Sequence, residues 1–123
     1  MLDKASVLIV EDELFIAMDL AEAVLARGGT VLGPAPSVSH ALVILQNETP
    51  DAAVLDAMLP DDDVSPISLI LSEGRVPFVV YTGSDSPAEV GEGLRAPTVL
   101  QKPLPSDAVI DVLQAEMMRP KAA

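Results

Sequence analysis

At 123 residues the chain has the length of one domain, enough to bury a core without staples. It has no cysteine, which excludes a disulfide framework and a thiolate metal site. A formal net charge of −12 argues against nucleic acid, whose phosphates demand a basic face, and against anionic membrane surfaces. The longest apolar stretches fall far short of a membrane span, and MLDKAS carries no secretory pattern. A cytoplasmic domain over 1–119 with a flexible tail at 120–123 is expected.

SVLIV (6–10) is a short β-branched run and reads as a strand. The stretch 12–29 has helical spacing, with Ala17, Leu20, Ala21 and Val24 as its apolar stripe and Gly28-Gly29 as its stop. TVLGPAP (30–36) is a strand broken by Pro34, and 37–48 a helix capped by Ser37. AAVLD (52–56) is a third strand; 65–74 is a helix with Pro66 in its first turn. PFVVYT (77–82) is a fourth strand. The stretch 86–94 predicts a weak or disordered fourth helix, because Gly91 and Gly93 each cost about 1 kcal/mol relative to alanine. TVLQ (98–101) is a fifth strand and 105–118 a last helix.

Strands that are apolar throughout are buried on both faces, so the alternation predicts a doubly wound α/β domain with a five-stranded parallel sheet. In such sheets ligands bind at the carboxyl ends of the strands. There stand Glu11-Asp12, Asp56, Thr82-Gly83 and Lys102-Pro103. Two carboxylates ~4 Å apart repel by roughly 4 kcal/mol at an effective dielectric near 20, and Lys102 is the one cation at these ends. A divalent cation relieves that repulsion. An all-oxygen donor set suits magnesium, manganese or calcium rather than zinc, and magnesium pairs naturally with phosphate oxygens.

The acidic pair in LIVEDE, the aspartate in AVLDAMLPD, the threonine in VVYTG and the lysine in LQKPL, in that order, resemble the receiver domain of two-component response regulators. The resemblance covers nearly the whole chain. It implies that Asp56 accepts a phosphoryl group from a phosphohistidine, with Mg2+ as cofactor. Glu11, Asp12, Asp56 and the backbone carbonyl of Met58 would hold the metal, Asp12 directly and Glu11 largely through water. Lys102 would pair with Asp56 and then with a phosphoryl oxygen, and Thr82 would hydrogen-bond the attached group. The Lys102–Pro103 peptide is cis in the family. The implied partner is a sensor histidine kinase or a histidine phosphotransfer protein, which docks on the first helix. Phe15 falls on the polar side of that helix with Asp19 and Glu22 and reads as a partner anchor beside the site. The domain is then no enzyme in the ordinary sense: it catalyses only its own phosphorylation and dephosphorylation.

The sequence departs from the common pattern at Val99, where many receivers carry an aromatic switch residue. PFVVYTG resembles the Pro-Phe-x-x-x-Thr-Gly ("FAT GUY") subclass, which lacks that ring and has a weak fourth helix. Residues 84–97 are therefore expected to be the mobile element. Met58 cannot activate water, which suggests a long-lived phosphoryl state. Tyr81 reads as a core tyrosine with a satisfied hydroxyl, Asp61 to Asp63 as a solvated loop and His40 as solvated. Rival readings meet obstacles: a flavin carrier needs a phosphate loop where EDELF stands, and a dehalogenase-type phosphatase needs an aspartate where Met58 stands. With no output domain after the fifth helix, the chain reads as a stand-alone regulator, monomeric or weakly dimeric. The alternatives are a phosphate sink, a non-switching interaction module that modulates a kinase, or a piece of a longer protein.

Overall fold

Runs such as Val7-Leu8-Ile9-Val10 and Ala52-Ala53-Val54-Leu55 are apolar at every position, so a sheet built from them must be covered twice. The computed structural model, which describes residues 2–94 and 98–119, meets that demand. Its elements are β1 (Ser6–Val10), α1 (Leu14–Ala26), β2 (Thr30–Ala35), α2 (Val38–Asn47), β3 (Ala52–Leu55), α3 (Ser65–Glu73), β4 (Phe78–Thr82), α4 (Pro87–Leu94), β5 (Val99–Gln101) and α5 (Ser106–Met117). The strands form one parallel sheet in the order β2-β1-β3-β4-β5. This is the expected doubly wound fold. Alternation along each strand sorts the core: Leu8, Val10, Leu55 and Val80 pack with Val38, Ile67 and Leu71 on one face. Val7, Ile9, Val54 and Val79 pack with Leu20, Val24, Ile110 and Leu113 on the other. Among the described residues no helix is long and apolar enough to cross a membrane.

Gly28 ends α1 as its position predicts. It takes φ +81°, and the N–H groups of Gly28 and Gly29 return to the carbonyls of Leu25 and Val24 at 3.1 and 3.0 Å. The buried stripe is Ala17, Leu20, Ala23 and Val24; Ala21, expected there, is half-buried. Arg27 accounts for the roll. It donates to Gln114 Oε1 at 2.7 Å and pairs with Asp111 at 2.8 Å, drawing the 20/23/27 side of α1 onto α5. Ser37 caps α2 by accepting from the His40 N–H at 3.2 Å, and His40 itself is exposed. Gly33 lies where the β1–β2 register shifts, at φ +91°, and a Cβ there would stand 2.6 Å from the Ala35 nitrogen.

Residues 87–94 form α4, the shortest of the five helices. Two glycines count against it, but Val90 and the buried Leu94 pack into the core on the β4–β5 side, and packing outweighs propensity. The remainder of the segment expected to be mobile, 95–97, and the tail at 120–123 lie outside the described residues.

Candidate functional site

The order β2-β1-β3-β4-β5 reverses direction between β1 and β3, so the crossovers leave to opposite faces and a crevice opens at the strand ends. Glu11 and Asp12 follow β1, Asp56 follows β3, Thr82 closes β4 and Lys102 follows β5. The crevice is a cleft of about 410 Å³ lined by Asp12, Glu13, Asp56, Met58, Gly83 and Lys102.

Carboxylate oxygens of Glu11, Asp12 and Asp56 lie within 4.8 Å of one another. Glu11 and Asp56 are buried and Asp12 is exposed. The Lys102 Nζ stands 2.8 Å from Glu11 Oε1, 2.8 Å from Glu13 Oε2 and 3.2 Å from Asp56 Oδ2. Asp56 is fixed from both ends: its N–H donates to the Val10 carbonyl at 2.9 Å, and its Oδ1 accepts from the Met58 N–H at 2.9 Å. Thr82 is fully buried, its Oγ1 accepts from the Ser84 N–H at 3.1 Å, and its carbonyl accepts from the Lys102 N–H at 2.8 Å. Asp56, Glu11, Asp12, Lys102 and Met58 thus meet where the sequence places them, with Thr82 at the adjoining strand end. The Lys102–Pro103 peptide is cis.

Burial, foremost, and the neighbouring Asp56 charge push the Glu11 carboxyl up to about 7, against the opposing pull of Lys102 and the Glu13 N–H. Burial works to lower the Lys102 ammonium, but its contacts with Glu11 and Glu13 and the charge of Asp56 prevail and hold it above the usual lysine range. Three carboxylates, Glu11, Glu13 and Asp56, thus share one ammonium, with Asp12 beside them, and the most buried of the three resists ionisation. A hard divalent cation fits such a set, since every side-chain donor is an oxygen and the missing charge is positive.

Glu13 is the residue that sequence reasoning missed. The signal was present as the third acidic residue of EDE at a strand end, but nothing local shows that it reaches Lys102, 89 positions away. Tyr81 is buried with its hydroxyl satisfied as expected: the hydroxyl accepts from the Leu104 N–H at 2.7 Å and donates to the Leu104 carbonyl at 3.0 Å. Its ring packs in the α1–α5 layer, whereas Val99 packs in the other layer. Tyr81 therefore does not fill the place of a ring at Val99. It ties down the segment that follows Lys102, whose Nζ lies 5.7 Å from the ring centroid. Tyr81→Phe should lower stability by about 1–2 kcal/mol in urea denaturation, since two hydrogen bonds are lost at a buried group.

The acidic run at 61–63 is more than a solvated loop. Asp61 accepts from the Val38 and Ser39 N–H groups at 2.9 and 3.2 Å, adding a second cap to α2. Those bonds hold its carboxyl below the usual range. Asp63 accepts from the Ser65 N–H and hydroxyl at the start of α3, at 2.9 and 2.8 Å. Phe15 is 79% exposed, and Leu14 and Met18 beside it on α1 are exposed as well.

No protein-family model matches the chain. Over 77 residues, 62% of this chain, it is 36% identical to the transcriptional regulatory protein PdtaR of Mycobacterium tuberculosis, and the match spans 38% of that protein's length. Among solved structures, the non-phosphorylated HemR receiver domain of Leptospira biflexa aligns with a TM-score of 0.81 at 23% identity, covering 98% of this chain and 99% of that one. The receiver domain of a sensor histidine kinase from Pseudomonas aeruginosa aligns at 0.80 with 19% identity, over 94% of this chain and 98% of that one. That crystal structure has a magnesium ion coordinated in the active-site cleft. These structural neighbours are receiver domains, several of them of response regulators, and the chain has their CheY-like form of the flavodoxin fold.

Proposed function

We propose that the chain is a phosphoaccepting receiver of a two-component system, with Asp56 as the acceptor. The observation that carries this reading is a buried carboxylate held at a cleft, 3.2 Å from an ammonium and within 4.8 Å of two further carboxylates. A carboxylate oxygen of Asp56 attacks the phosphorus of a phosphohistidine. The P–N bond breaks, its electron pair returns to the imidazole nitrogen, which is protonated, and an acyl phosphate forms on Asp56. Such transfers pass through a loose transition state, so the protein mainly positions groups and balances charge. Lys102 meets a phosphoryl oxygen with its ammonium, and Thr82 offers its hydroxyl. Glu11, Asp12, Asp56 and the Met58 carbonyl would hold Mg2+, which supplies neutralising charge to the phosphoryl oxygens when bound.

The finer reading follows the sequence. The domain acts as a stand-alone cytoplasmic regulator of the Pro-Phe-x-x-x-Thr-Gly subclass, monomeric or weakly dimeric, signalling by protein contact rather than on nucleic acid or membrane. Residues 84–94 move when Asp56 is phosphorylated, in place of an aromatic switch. Met58 at the cleft brings no base to a hydrolytic water, which supports a long-lived acyl phosphate. The exposed Phe15, Leu14 and Met18 on α1 support docking of a kinase or phosphotransfer protein there.

Incubation with phosphoramidate, a small P–N donor, tests the reaction. Label that is released by hydroxylamine, as an acyl phosphate requires, supports the reading; no label, or hydroxylamine-resistant label, refutes it. Phe15→Ala should slow transfer from a phosphohistidine protein by about tenfold or more, as for an interface anchor, while phosphoramidate uptake stays at the wild-type rate. Equal slowing with both donors would remove Phe15 from the docking face.

A further inference from the structure

A lysine ammonium has three N–H donors. In this protein all three are committed, to Glu11 and Glu13 at 2.8 Å and to Asp56 at 3.2 Å. If Asp56 attacks a phosphoryl group while Lys102 steadies one of its oxygens, a fourth acceptor claims the same ammonium, and one partner must yield. Glu11 is the costly one to release: its side chain is 2% exposed, and losing Lys102 would leave a buried charge with little besides a backbone N–H. Asp56 is the reacting group. Glu13 is 58% exposed and can return to water at little cost. It also stands on the lining of the cleft, where a phosphodonor enters.

We propose that Glu13 is a positioning residue: its carboxylate holds Lys102 across the cleft mouth and competes with the incoming phosphodonor for that ammonium. The proposal rests on the phosphoacceptor reading of Asp56. A second feature supports it. Glu13 occupies the N-cap position of α1, makes no cap hydrogen bond, and turns its carboxylate to Lys102. Arrival of the phosphoryl group frees that carboxylate at the start of the helix that bears Leu14 and Phe15.

The test compares wild type with Glu13→Gln, which keeps the side chain's length and removes its charge. Phosphoryl uptake from acetyl phosphate, in which the Asp56 oxygen displaces acetate at phosphorus, is followed across donor concentrations with magnesium. Losing both the competitor and its repulsion of a dianionic donor should lower the half-saturating donor concentration about three- to tenfold, with the maximal rate within about twofold. The difference should shrink as salt is raised. In parallel, the Lys102 ammonium resonance is recorded in lysine-labelled protein without donor, and it should move in the variant. An unmoved resonance overturns the ion pair. A moved resonance with identical donor dependence, or with a loss confined to the maximal rate, overturns the competition. A wild type that takes up no phosphoryl group, whether or not the resonance moves in the variant, overturns the phosphoacceptor reading itself.

Discussion

Asp56→Asn should abolish phosphoryl uptake and, in the absence of divalent cations, make the fold more stable. The first effect follows because an amide oxygen is no nucleophile toward phosphorus under these conditions. The second follows from charge. Asp56 is buried, and its oxygens lie within 4.8 Å of those of Glu11 and Asp12, so its ionised form is both desolvated and repelled. Against this stands one 3.2 Å contact with an ammonium already engaged by Glu11 and Glu13. Asparagine retains an oxygen for the Met58 N–H. A gain of about 1 kcal/mol in urea denaturation with a chelator present is expected. A variant less stable than wild type would mean that Lys102 overcompensates the repulsion and that the site has no unmet need for positive charge.

Lys102→Met should move stability the other way. The substitution keeps the apolar stem and removes the ammonium, leaving Glu11 buried without a counter-charge. Breaking a buried ion pair from one side costs about 3–5 kcal/mol; the open cleft gives water some access, so about 2–3 kcal/mol is expected here by chemical denaturation. Phosphoryl uptake should fall at least about a hundredfold, the usual scale for losing a fixed charge-stabilising group. Loss of stability with uptake intact would show Lys102 to be a structural counter-ion only. Loss of uptake at full stability would show that Glu11 does not depend on it.

Much of this was legible in the sequence because the carriers are local. Apolar runs set the strands, Gly28 stopped α1, Ser37 capped α2, and the alternation of elements fixed a parallel sheet. Once the sheet was parallel, Glu11, Asp12, Asp56, Thr82 and Lys102 had to share an edge. What escaped depends on contacts distant in the chain. Glu13 finds Lys102 across 89 positions, Asp61 caps a helix 23 positions earlier, and Tyr81 is anchored by Leu104, 23 positions later. The substitution of Ala23 for Ala21 in the buried stripe reflects the docking of α1 on α5 through Arg27, which helical periodicity alone does not encode. At α4 the glycines gave the correct propensity but not the outcome, because Leu94 and Val90 find a core to enter.

The most direct test is the intact mass of the protein after incubation with acetyl phosphate, with magnesium and with a chelator, beside Asp56→Ala. One added phosphoryl group in the wild type with magnesium, and none in the chelated or variant samples, is the predicted result. A phosphoryl group that survives in Asp56→Ala, or that appears equally without a divalent cation, would contradict a metal-assisted acceptor built from Glu11, Asp12 and Asp56.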